Sequence, residues 1–187
     1  MNPSVRLAAI FTLVLGVGAV ASNAAPAGAQ GTDTVSTSTV SLAETMKGRP
    51  LADQVEAYGR TDTDNAEQDC LASAVYFEAR GEVLEGQLAV AEVVMNRAAS
   101  GKYPATICGV VEQPWQFSFV NATKRIPNAN RSSEAWRRAV AIARIAQDRV
   151  SDQLTDDVLW YHAEYVSPSW GRRLNRSTKI GLHIFYR

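Results

Sequence analysis

Net charge is missing from this chain: 19 Lys and Arg stand against 19 Asp and Glu in 187 residues. That balance removes the general electrostatic case for nucleic-acid binding. Long apolar runs are missing from the interior, where no stretch approaches the roughly 20 residues of a membrane span, so a polytopic membrane protein is excluded. Cysteine is scarce, with only Cys70 and Cys108, and neither lies near the N-terminus, which argues against a lipoprotein. Histidine is scarcer still in usable spacing: His162 and His183 form no H-E-x-x-H and no short two-histidine pair. No internal repeat is present. What remains is 46% hydrophobic and 20% charged, too apolar for a wholly disordered chain and of a length for one ordinary domain.

The N-terminus reads as an address. Arg6 gives a positive start, Leu7 to Ala21 is apolar and uncharged, and Ala27-Gly28-Ala29 offers an A-x-A cleavage site, with Ser22-Asn23-Ala24 a second candidate. This is the layout of a secretory signal peptide over residues 1–29; the alternative is an uncleaved anchor. Export to the periplasm or cell envelope is expected, with no stable membrane insertion after cleavage. Residues 30–66 read as a polar linker or disordered lead, Ser/Thr-rich over 30–43. The packed domain is expected over 67–187.

Charge is unevenly spread. Residues 30–69 carry 3 basic and 8 acidic groups, whereas 120–187 carry 12 and 6. The basic C-terminal part suits an anionic polymer such as cell-wall glycan with its peptide carboxylates, or a solvated surface balanced by the acidic N-terminal part. Export makes a disulfide between Cys70 and Cys108 plausible, with two buried free thiols as the alternative.

The stretch 67–80, EQDCLASAVYFEAR, predicts a helix. Leu71, Ala74, Val75 and Glu78 share one face, three apolar residues and then a carboxylate, with Gly81 to end it. A half-buried Glu78 would hold its proton, as a glycosidic general acid must; otherwise it caps the helix or pairs with Arg80 or Arg97. A second helix is predicted over Leu84–Ala99, apolar except for the stripe Glu85, Ala89, Glu92 and Asn96. Glu78, Arg80 and Glu82 then meet at the hairpin corner. Residues 113–131 have no sustained period, and such a long loop is usually functional. Trp115 suits a sugar face, Gln116 and Ser118 suit its polar groups, and Phe117 and Phe119 alternate as in a short extended piece. Residues 132–150 form a clear amphipathic helix, capped by Asn130 or Ser132, with Arg137, Arg138 and Arg144 outward. Val158–Ala163 and Lys179–Tyr186 read as strands. Between them lies a basic, aromatic connection with Tyr165 and Trp170, directly after Tyr161 and His162.

Taken together, Tyr76-Phe77-Glu78-Ala79-Arg80-Gly81-Glu82, Gly86-Gln87, Ala89-Val90-Ala91, Asn96-Arg97, Tyr103-Pro104, Gln116-Phe117-Ser118-Phe119, Tyr161-His162-Ala163, Val166-Ser167-Pro168-Ser169-Trp170 and Ile180-Gly181 resemble the SleB/CwlJ-type cell-wall hydrolases, which include the spore-cortex-lytic enzymes. The resemblance covers roughly residues 70–187. It implies an α+β fold, a compact lysozyme-superfamily-like helical core with a small antiparallel β element. It implies peptidoglycan as partner and cleavage of the β-1,4 bond between N-acetylmuramic acid and N-acetylglucosamine, in the manner of a lytic transglycosylase. Glu78 matches the family's catalytic acid, and Glu82 is its rival or helper. Arg80, Trp115, Gln116, Ser118, Tyr161, His162, Tyr165 and Trp170 are the expected substrate contacts. No cofactor or metal and a monomer are expected. The spore enzymes often carry a separate peptidoglycan-binding domain; residues 30–66 are too short and polar for one, so general wall remodelling is expected rather than cortex-specific work. Two other readings stay open: a zinc-dependent wall amidase, which would need His162, His183 and a third ligand together, and a non-catalytic peptidoglycan-binding module.

Overall fold

The computed structural model describes residues 40–120 and 125–187, so the signal-peptide expectation and most of the Ser/Thr-rich lead lie outside the described residues. Six helices and three strands are found among the described residues, with no helix long and apolar enough to cross a membrane.

The core is built around the helix predicted before Gly81. Asn65 caps α3 (Ala66–Ala79), its side chain accepting the Gln68 N–H at 2.9 Å. Leu71, Ala74 and Val75 are fully buried, as their spacing requires, but Ala72 and Ser73 on the other sides are buried too. The reason is that α3 lies against three partners: α4 (Leu84–Ala99), α5 (Ile107–Val111) and α6 (Glu134–Gln147). Short α5 carries no periodic signal; it is held by its Thr106 cap, by Glu67, which accepts the Ile107 N–H at 2.6 Å, and by the Cys70–Cys108 disulfide. Closing a 38-residue loop in this way stabilises the fold by roughly 3–4 kcal/mol on loop entropy.

Packing begins before Glu67. Ahead of it come α1 (Leu42–Met46) and α2 (Leu51–Tyr58), and α2 packs on α6 with Val55 and Tyr58 in the core. Gln54 is fully buried because its amide donates to the Arg49 carbonyl and to Ser151 Oγ. The stretch looked like a linker because its few apolar residues are diluted by acidic ones. Arg144 does not point outward either. It is buried on α6 and donates to the Asp62 carbonyl at 3.0 Å and to Asp64 at 2.8 Å. The α6 cap is Ser133, which accepts the Trp136 N–H, and the helix stops at Gln147.

Beyond exposed Glu85, the expected polar stripe of α4 is buried. Glu92 accepts backbone N–H groups of Gln153 and Leu154, and Asn96 donates to the carbonyls of Thr155 and Val158. These side chains replace water for the irregular chain that leads into the sheet, which is why a polar row can face inward. The sheet comprises β1 (Trp160–Ala163), β2 (Arg176–Ile180) and β3 (His183–Tyr186), antiparallel in the order β1-β3-β2. The expected single strand 179–186 is thus a hairpin. Gly181 has φ +55°, which suits the first residue of a two-residue turn, and Ile180 pairs with His183 across it. One face of the sheet seals against α4, where Ala89 and Val93 meet Val158 and Phe185.

Candidate active site

Glu78 lies in the last turn of α3, half-buried at the end of the apolar stripe. Two segments approach it. One is the turn-rich loop 112–120, which is not extended as the alternation suggested: backbone bonds from Gln116 N–H to Gln113 and from Val120 N–H to Phe117 coil it. The alternation of sides survives, with Phe117 buried and Phe119 stacked on Phe77 at 4.9 Å between ring centroids, while Gln116 and Ser118 face out. These inward rings place Ser118 so that its hydroxyl donates to Glu78 Oε1 at 3.4 Å. The other segment is β1, whose Tyr161 packs its ring against His183 and Phe185 and brings its hydroxyl to the same carboxyl.

The electrostatics oppose one another. Burial pushes the Glu78 pKa up, while hydrogen bonds from the Ser118 side chain and backbone, from Tyr161, and the charge of Arg97 pull it down; burial prevails. The carboxyl therefore leans towards its acid form, yet three groups are in place to hold the anion once the proton leaves. Burial likewise pushes the Tyr161 phenol far above its ordinary range, so it stays a hydrogen-bond donor.

Arg97 is a member of this cluster that the sequence leaves ambiguous. It is only 5% exposed; its Nε donates to the Leu159 carbonyl at 2.8 Å, and its guanidinium lies over the rings of Tyr103 and Phe117. One terminal nitrogen, Nη1, is buried without a hydrogen-bond partner. A cation kept dry at that cost, beside a half-buried carboxyl, acts on the carboxyl through its field.

The other expected site residues divide. Glu82 does not join Glu78: its carboxylate accepts the Leu182 N–H at 2.9 Å and lies against Gly181, so it fastens the β2–β3 turn to the α3–α4 corner. Arg80 is exposed, its guanidinium 5.0 Å from the centroid of the Tyr76 ring. Trp115 is 90% exposed with φ +68°, a left-handed backbone that a bulky residue adopts only under strain. Tyr165 is likewise exposed. His162 and Trp170 lie on the opposite face of the sheet from Tyr161, because successive strand residues point to opposite faces. The two histidines separate for the same reason: His162 is on the outer face and His183 is buried on the inner one, where burial pulls its pKa down. Among the described residues no group of three or more His, Cys, Asp or Glu side chains stands ready to share a metal ion.

The family described as Cell Wall Hydrolase matches residues 81–186, beginning just after Glu78. The spore cortex-lytic enzyme of Oceanobacillus iheyensis is 38% identical over 142 residues, covering 76% of this chain and 47% of that protein. The spore cortex-lytic enzyme of Bacillus subtilis is 36% identical over 118 residues, 62% of this chain and 35% of the relative. The chain thus spans less than half the length of these curated relatives. Among solved structures, the catalytic domain of the germination-specific lytic transglycosylase SleB from Bacillus anthracis superposes with a TM-score of 0.53 at 30% identity, over 67% of this chain and 99% of that domain. The Bacillus cereus SleB catalytic domain gives 0.51 at 31% identity, over 69% and 98%. The α+β architecture is that of the lysozyme-like SleB catalytic domains, and the chain belongs to the cell wall hydrolase family.

Proposed function

We propose that this protein is an exported peptidoglycan-cleaving enzyme that breaks the β-1,4 bond between N-acetylmuramic acid and N-acetylglucosamine as a lytic transglycosylase, with Glu78 as its single acid and base. The observation that carries the reading is the setting of Glu78. Two carboxyls in the described residues lean towards the acid form, Glu78 and Glu92. Glu92 is enclosed and occupied by the backbone of Gln153 and Leu154. Glu78 remains partly open, beside exposed Ser118.

The chemistry follows from one carboxyl. Protonated Glu78 donates its proton to the glycosidic oxygen as the bond to the muramic anomeric carbon breaks. The resulting carboxylate, steadied by Ser118, Tyr161 and Arg97, takes the proton from the muramic C6 hydroxyl. That oxygen closes on the anomeric carbon and leaves a 1,6-anhydro end, with no water consumed. An ordinary two-carboxylate glycosidase needs a second acid at about 5–9 Å; Glu82 is committed to the Leu182 N–H, which favours the single-carboxyl route. The opposed faces of His162 and His183 disfavour the zinc amidase reading, which requires the two rings to converge. Trp115, Gln116 and Arg80 are assigned to sugar contacts at the rim. The protein acts as a monomer in the periplasm or cell envelope, with residues 1–29 as the signal peptide.

The test is release of soluble muropeptides from purified sacculi by three near-isosteric variants. Glu78→Gln should lose about 10³-fold or more, Glu82→Gln should lose activity only in proportion to lost stability, and Glu92→Gln should stay active. An active Glu78→Gln beside a dead Glu82→Gln overturns the assignment.

A further inference from the structure

The basic excess of residues 120–187 finds no use in the chemistry at Glu78. The structure gathers part of it on the outer face of the sheet. There His162 stacks on Tyr186 with ring centroids 5.3 Å apart, and Trp170 closes the group edge-on at 5.6 Å from His162 and 5.5 Å from Tyr186. The imidazole is fixed at both nitrogens: Nδ1 donates to the Ala163 carbonyl at 2.8 Å, and Nε2 lies in hydrogen-bond contact with the Tyr186 hydroxyl at 2.9 Å. Next to these rings opens a cleft of about 430 Å³ whose lining includes His162, Glu164, Ser167, Arg172 and Tyr186.

Charge on this face is largely uncompensated. Lys179 is neutralised by Glu164. Arg172 lines the cleft, and Arg176 pairs in register with Tyr186, which puts it on the same face of the sheet. Both are exposed, and among the described residues neither side chain enters an ion pair, a hydrogen bond or a ring contact. Two free guanidinium forks beside a rigid aromatic floor suit a carboxylate-bearing chain: the forks take carboxylates in pairs of N–H···O bonds, and the floor gives the intervening apolar atoms a surface.

We propose that this outer face is a second, non-catalytic wall-binding site, which takes the carboxylates of peptidoglycan stem peptides through Arg172 and Arg176 against the His162–Tyr186–Trp170 cluster. The proposal rests on peptidoglycan being the substrate. Because the site lies across the sheet from Glu78, it holds the enzyme on a neighbouring part of the cross-linked polymer and not on the bond being cut.

The experiment is cosedimentation of the full chain with purified sacculi, in the Glu78→Gln background and on ice. Arg172→Ala with Arg176→Ala is compared with its parent on native sacculi and on sacculi whose carboxyls have been amidated with carbodiimide and glycinamide. Both substitutions are on the surface, and a thermal melt confirms an intact fold. Loss of two exposed charge contacts should weaken binding to native sacculi about tenfold. Amidation should weaken the parent by a similar factor and the double variant by less than twofold. Equal binding of parent and double variant to native sacculi overturns the proposal, as does indifference of the parent to amidation. Residual cleavage by the Glu78→Gln parent, seen on warming, would instead count against the catalytic assignment and leave the binding comparison standing.

Discussion

Glu92 offers a pH dependence whose direction is unusual for a carboxylate. The residue is only 7% exposed. Burial is the main cause of a pKa raised from 4.5 to about 7; the N–H groups of Gln153 and Leu154 oppose it, and the charges of Asp152 and Asp156 add to it. In the unfolded chain the group ionises at its ordinary pKa. Between that value and about 7 the native protein holds a proton that the unfolded chain has already released, so native stability falls as the pH rises through this window. A rise from 4.5 to about 7 corresponds to about 3 kcal/mol. Glutamine keeps the shape and one acceptor for the loop but cannot ionise. Urea unfolding of wild type and Glu92→Gln at intervals from pH 4 to pH 8 should therefore show the wild type losing about 3 kcal/mol relative to the variant across the range. A difference that stays constant would refute the reasoning. So would one that grows in favour of the wild type at high pH, as expected of a carboxylate held mainly by its hydrogen bonds.

Other outcomes follow from the same structure. Tyr161→Phe and Arg97→Gln each remove a group that favours the Glu78 anion; the alkaline limb of the pH–rate profile, where a general acid loses its proton, should move to higher pH, and a limb that moves down or not at all contradicts the cluster. Gly181→Ala puts a Cβ at a left-handed position against the Glu82 carboxylate, so denaturant titration should show a loss of at least about 1–2 kcal/mol. Trp115→Gly relieves a left-handed backbone at an exposed position, so it should raise stability slightly while weakening binding to sacculi; tighter or unchanged binding would remove Trp115 from the substrate rim.

The helices that shape the site were legible because their apolar spacing is regular: Leu71, Ala74 and Val75 on α3 and Trp136, Ala139 and Val140 on α6 are buried as their period demands. Glu78 stood out as the carboxylate that continues such a stripe. Less legible were side chains whose role depends on distant backbone. Glu92 and Asn96 read only as part of a narrow polar stripe, because their partners lie 59 to 62 residues on. Arg144 reads as outward because Asp64 lies 80 residues earlier, in a stretch that looked like a linker. Read as one strand, 179–186 would put Ile180 on the side of Ile184 and Tyr186; the two-residue turn puts it instead beside His183 and Phe185, and only Gly181 marks the reversal. Period two also implies that Tyr161 and His162 cannot share a face, and that is what divides the expected sugar contacts between two surfaces.

The most direct test of the central claim is mass spectrometry of the soluble products released from purified sacculi by residues 30–187. A lytic transglycosylase with Glu78 as its only carboxyl predicts muropeptides ending in 1,6-anhydromuramic acid, absent when Glu78 is glutamine. Products one water heavier, with reducing sugar ends, would mean hydrolysis and contradict the single-carboxyl mechanism.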